Sequence, residues 1–136
     1  MKKNVLLSLA VVFVAVFTLM SFGVNQEQPE PWPVPDEFKN MENPVEADAE
    51  SLQIGKMLYN KNCASCHGKD GTGNGPKARM LETYEGDFSG DYYQNQTDGE
   101  HFYKTKEGRG EMPGYGGKMS DEDIWHMVNY MRTFKK

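Results

Sequence analysis

Cysteine is scarce in this 136-residue chain: there are two. So small a number leaves no disulfide framework, and a zinc site would need further ligands that no remaining cysteine supplies. Histidine is sparse too, at positions 67, 101 and 126. A basic excess is lacking, since the net charge is −5, and nothing in that balance points to a nucleic-acid surface. No stretch alternates apolar and polar residues well enough to read as a strand. There is no internal repeat.

What is present concentrates around those two cysteines. They stand in Cys63-Ala64-Ser65-Cys66-His67, the arrangement suited to covalent attachment of haem. Each thiol adds across one vinyl group to form a thioether, and the vinyls lie on one edge of a rigid macrocycle. The thiols therefore need a short turned spacer, and the histidine must follow at once to reach the iron. A thiol–disulfide redox centre is a weaker reading, because no strand and helix alternation surrounds the pair. A zinc site would have to recruit His101 and His126 at an unusual spacing.

The chain divides into three. After Lys2 and Lys3, residues 5–24 form an apolar run without charge, so residues 1–24 read as a signal peptide or an N-terminal membrane anchor. Either outcome places the remainder on the exported, periplasmic side of the inner membrane. Residues 25–49 read as an acidic, proline-rich linker. Pro29, Pro31, Pro33, Pro35 and Pro44 disfavour helix there, and seven acids face Lys39 alone, a balance of −6. Trp32 in that stretch is open to docking on the domain or on a partner. Residues 50–136 form the folded domain, with twelve basic and thirteen acidic residues.

Three main helices are expected in the domain. The first spans about 50–62, with Leu52, Gly55, Leu58 and Tyr59 on one face. Glycine inside a helix costs about 1 kcal/mol, which close approach of another helix explains. The middle helix spans about 98–107, capped by Thr97 and closed by Gly108. The last begins after Ser120, with Asp121, Glu122 and Asp123 at its positive end and Ile124, Met127, Val128 and Met131 as its apolar stripe. His126 falls on the opposite, solvated side. Between the helices, glycine-rich loops are free to wrap a ligand. The domain is short for a self-sufficient core, and bound haem supplies missing apolar area.

A second iron ligand is expected, methionine being the choice that raises the potential. Candidates are Met57, Met80, Met112, Met119 and Met127, with His101 and His126 as rivals. Met112 is preferred: Pro113 pushes it into extended backbone, and the surrounding glycines let that loop pass close to a flat cofactor. Met119 is the runner-up.

With Gly55 and Tyr59, the Cys63 to Gly68 motif, Gly75-Pro76, Met112-Pro113 and Val128-Asn129-Tyr130-Met131-Arg132 assembled, the segment from about 51 to 134 resembles class I cytochrome c. The resemblance implies an all-α fold of helices and loops round one covalently bound haem c. In that family the first and last helices cross through a glycine and aromatics, and a methionine ahead of the last helix caps the iron. A proline carbonyl accepts the proximal histidine's Nδ1–H, which points to Pro76. The implied function is one-electron transfer in an exported respiratory or related chain, with transient redox partners and no enzymatic chemistry. Two alternatives are a subunit tethered through residues 5–24 to an oxidase or reductase, and a peroxidase-like enzyme with open iron. The stretch 81–93 departs from the family pattern, so Arg79, Tyr115 and Lys118 are offered only as weak propionate partners.

Overall fold

The computed structural model describes residues 31–84 and 86–136. The expected signal or anchor and the start of the linker lie outside the described residues. Among the latter there is no strand, only an isolated antiparallel bridge between Arg109 and Met112, and no helix is long and apolar enough to cross a membrane.

Six helices are described: α1 (Asp36–Lys39), α2 (Ala49–Asn62), α3 (Ala64–His67), α4 (Asp91–Gln94), α5 (Asp98–Glu107) and α6 (Asp121–Arg132), with a 3₁₀ turn at Ala78–Met80. Their ends follow local chemistry. Asp48 caps α2 by accepting from the Ser51 amide at 2.8 Å. Thr97 with Glu100, and Ser120 with Asp123, form reciprocal capping boxes at α5 and α6, each satisfying amides that the first turn leaves unpaired.

The core is the crossing of α2 and α6. A Cβ on Gly55 would collide with the His126 carbonyl oxygen and come within 2.8 Å of the Tyr130 Cβ. Glycine thus lets the two backbones touch. Tyr59, Ile124 and Val128 are wholly buried at this crossing, with Met127 1% exposed, and Tyr59 lies edge-on to Phe134 at 5.1 Å. The buried face of α2 is Ser51, Gly55 and Tyr59, with Leu52 and Leu58 at its margin. His126 departs from the solvated position expected of it: it is half-buried, and its Nδ1 lies 2.8 Å from the Ser51 hydroxyl across the crossing.

The proline-rich stretch reads in sequence as a linker, with Trp32 open to docking. Over residues 31–48 it lies on the domain. Val34 is buried, and α1 sets Phe38 against Tyr103 at 4.8 Å and Phe102 at 6.4 Å. A Cβ on Gly99 would strike the Phe38 carbonyl oxygen, so α5 accepts α1 at a glycine. Asn43 donates to the Asn129 Oδ1 at 2.8 Å, while the Asn129 amide group donates to the carbonyl of Val45 and the hydroxyl of Ser51. Proline forbids continuous helix but not packing of the apolar residues between the prolines.

Candidate haem site

The attachment motif is tied directly to the helix crossing. Cys63 ends α2, its amide donating to the Tyr59 carbonyl at 2.8 Å, and α3 starts at the next residue. The Tyr59 hydroxyl donates to the Gly68 carbonyl at 2.8 Å, so the best-buried aromatic of the core clamps the far end of the motif. Within α3 the Cys66 and His67 amides both donate to the Cys63 carbonyl. This single turn brings the two thiols and the imidazole together at one cleft. Behind the turn, the Gly75 amide donates to the Cys66 carbonyl and the Lys77 amide to the Ser65 carbonyl. Pro76 is therefore held against the back of the motif, exposed and outside the cleft lining.

The cleft measures about 1030 Å³, at the upper end of the ~300–1,000 Å³ typical of cofactor sites. Cys63, Cys66, His67 and Met112 all line it, together with Phe88, Tyr93, Tyr115 and Trp32. The His67 ring stacks on Phe88 at 4.5 Å, and Phe88 on Tyr93 at 4.2 Å. Met112 is presented by a loop that folds back on α5. The Arg109 and Met112 backbones exchange two hydrogen bonds, at 2.9 and 3.0 Å. Gly108, at φ +70°, leaves space for the Met112 carbonyl, which lies 2.5 Å from where a Cβ would be. Tyr115 braces the loop at its other side, donating from its hydroxyl to the Asn62 carbonyl at 2.9 Å.

The competing chemistries fare poorly here. The thiols are not joined. Burial, and then the neighbouring Cys66, push the Cys63 thiol up to about 12, the reverse of the lowered value that a redox-active thiol pair requires. No group of three or more His, Cys, Asp or Glu able to hold a metal ion exists among the described residues. Two thiols, one imidazole and one thioether around a flat aromatic cleft fit haem c.

The remaining candidates fall away from the cleft. Met57 and Met80 are 62% and 72% exposed. Met119 packs against the core, and Met127 belongs to it. His101 is 2% exposed behind the cleft wall, stacked on Tyr93 at 3.9 Å. Burial, reinforced by Arg132 and Lys104, pushes it down to about 2, so it is a neutral core residue. Of the propionate candidates, Tyr115 lines the cleft, whereas Arg79 and Lys118 do not. Lysine 104, Arg109, Phe88 and Tyr93 do line it and escaped sequence reasoning. The aromatic density of residues 84–93 was the available signal for two of them.

Known proteins place the chain in a family. The family model for cytochrome C oxidase, cbb3-type, subunit III matches residues 50–131. The chain belongs to the cytochrome c family, as a class I c-type cytochrome. It is 31% identical over 84 residues to cytochrome c6 of Gracilaria tenuistipitata var. liui, covering 61% of this chain and 72% of that one. Over 92 residues it is 30% identical to cytochrome c550 of Pseudomonas aeruginosa, covering 61% of this chain but only 55% of that protein. Among solved structures, the KustC0563 c-type cytochrome superposes with a TM-score of 0.54 at 28% identity, over 60% of this chain and 98% of that one. The cytochrome thus carries covalently attached haem c and transfers electrons.

Proposed function

We propose that this cytochrome is a one-electron carrier of an exported respiratory or related redox chain, with His67 and Met112 as the axial ligands of its iron. One observation carries the reading: of the candidate methionines, Met112 lines the cleft that Cys63, Cys66 and His67 line, and Met57, Met80 and Met119 do not. When bound, haem c supplies an iron that gains and loses one electron.

The chain's own part is positioning and exclusion of water. The single turn of α3 sets the His67 imidazole beside the two thiols, and the turn through Gly75 and Lys77 backs it. Pro76 is suited to orient the imidazole through its carbonyl, as a hydrogen-bonded outer partner does for a metal-bound histidine. Glycine-rich backbone carries Met112 to the cleft lining. His67 and Met112 would hold the iron, and the rings of Phe88, Tyr93, Trp32 and Tyr115 line the cleft around it. The nearly neutral domain suits brief, weak encounters with redox partners.

The amino-terminal apolar run supports export, either as a cleaved leader or as an anchor. A second reading, a haem-carrying subunit held to one oxidase or reductase, draws on that run and on the cbb3-type subunit III match. Detergent extraction separates the two: a cleaved carrier is released from membranes without detergent.

Ligation is tested by absorption spectra of the oxidised protein beside Met112→Ala and Met119→Ala. Methionine bound to ferric iron gives a weak band at the red end of the spectrum, expected to vanish in Met112→Ala and persist in Met119→Ala. The converse pattern refutes Met112 as ligand.

A further inference from the structure

Met112 stands in a loop with little stiffness of its own, since glycine occupies positions 108, 110, 114, 116 and 117. Gly110 and Glu111 are the central residues of a tight hairpin turn, closed by the paired Arg109 and Met112 backbones. Gly110 supplies the positive φ, +57°, that such a turn requires. The turn is tied to two distant parts of the chain. One is the strap of residues 31–48: Arg109 donates to the Pro31 carbonyl at 2.9 Å and stands 4.6 Å from the centre of the Trp32 ring. The other is the segment after the 3₁₀ turn. There the Glu111 Oε2 accepts from the Glu82 amide at 2.9 Å, the Thr83 amide at 3.2 Å and the Thr83 hydroxyl at 3.1 Å.

This second tie joins two lining segments of the haem cleft. Leu81, Thr83 and Tyr84 line it from the stretch that departs from the family pattern, and Glu111 and Met112 line it from the loop. The partners lie 29 and 28 positions apart in sequence. Three donors converge on one carboxylate oxygen, and hydrogen bonds to an ionised acceptor are the stronger kind. Glu111, Glu82 and Thr83 are exposed, so water competes for these bonds and the tie is a reversible latch. A glycine-rich loop released at its tip regains conformational freedom, and the residue next to the tip is Met112.

We propose that Glu111 is the positioning residue for Met112, its latch to Glu82 and Thr83 holding the thioether at the iron. This rests on Met112 as the axial ligand. The test uses the full chain, matured with its haem and oxidised, titrated with imidazole. Imidazole takes the iron only where the thioether has left it, so its apparent affinity rises with the fraction of open loop. Glu111→Leu keeps the volume but accepts no hydrogen bond. It is expected to bind imidazole about tenfold more tightly, the equivalent of one bond to a charged group. Glu111→Gln, which keeps an acceptor, falls between Glu111→Leu and the wild type. Thr83→Val loses the hydroxyl donor alone and gains about threefold. Adding it to Glu111→Leu changes nothing further, because both remove the same latch. Glu82→Gln keeps its amide donor and titrates like the wild type. Melting temperature by circular dichroism stays level across the series, since the latch is exposed and closes no core. The latch is overturned if Glu111→Leu titrates like the wild type, if Glu111→Gln matches Glu111→Leu, or if the Thr83 and Glu111 effects add. The oxidised spectrum separates the layers. A red-end band that survives Met112→Ala overturns the ligand reading and the latch together, and a band that depends on Met112, with unmoved imidazole affinity in Glu111→Leu, overturns the latch alone.

Discussion

Gly55→Ala measures how closely the helices beneath the haem motif approach. In an isolated helix the change is favourable by about 1 kcal/mol. Here the new methyl group would lie 2.7 Å from the His126 carbonyl carbon and 2.8 Å from the Tyr130 Cβ. Carbon atoms pack at about 3.5–4.0 Å, so α2 and α6 must separate by roughly 1 Å. Overpacking costs about 1–3 kcal/mol even where side chains can rotate away. At this site the nearest atoms are main chain, fixed in the α6 ladder, so the upper end applies. Separation also loosens Tyr59, Ile124 and Val128, which are wholly buried. The net expectation is a loss of about 2 kcal/mol, equivalent to a melting temperature lower by roughly 10 °C for a domain near 100 residues. Circular dichroism melts of the oxidised holoprotein supply the measurement. Gly117→Ala is the control, since a Cβ there meets no atom within 4 Å and is expected to change stability by less than about 0.5 kcal/mol. If Gly55→Ala melts at or above the wild type, the backbone contact does not dictate glycine.

His101 offers a pH test. The residue is 2% exposed, and its folded pKa of about 2 lies below the ordinary 6.5. The unfolded chain therefore takes up the proton first, and acidification below 6.5 destabilises the fold. His101→Phe keeps the stack on Tyr93 and removes that linkage, so unfolding free energies from urea melts between pH 6 and 4 fall more steeply for the wild type, by about 1.4 kcal/mol per pH unit. Parallel profiles contradict a buried neutral imidazole. Asn129→Ala breaks the joint between α6, Ser51 and the strap, leaving Asn43 and two backbone carbonyls with fewer partners. It is expected to cost about 2–3 kcal/mol and to open residues 31–48 to protease; unchanged cleavage there shows that the strap is held by other contacts.

The helices were legible because their signals are local. Thr97 and Ser120 cap α5 and α6 through side-chain bonds to amides three residues on, and Gly108 closes α5 within one residue of its end. The α6 stripe of Ile124, Met127, Val128 and Met131 is buried throughout, as a 3.6-residue period requires. The two thiols and His67 were legible for the same reason, being five consecutive positions on one turn. Distant contacts were not. Nothing near His126 announces Ser51, 75 positions earlier, and nothing near Trp32 announces Arg109. The polar character of His126 pointed to solvent, and a hydroxyl across the helix crossing satisfied it instead. Five prolines pointed to a linker, yet Val34 among them is buried and Phe38 packs on Phe102 and Tyr103 of α5.

The amino-acid order alone determined the chemistry of attachment, the helical class and the glycine at the crossing, since each depends on neighbours within one or two turns. Tertiary structure decided which methionine shares the cleft with His67, which cations border it, and that residues 31–48 belong to the domain. Those outcomes depend on surfaces made by residues tens of positions apart, which exist only once α2 and α6 have crossed and the loops have closed around the cleft.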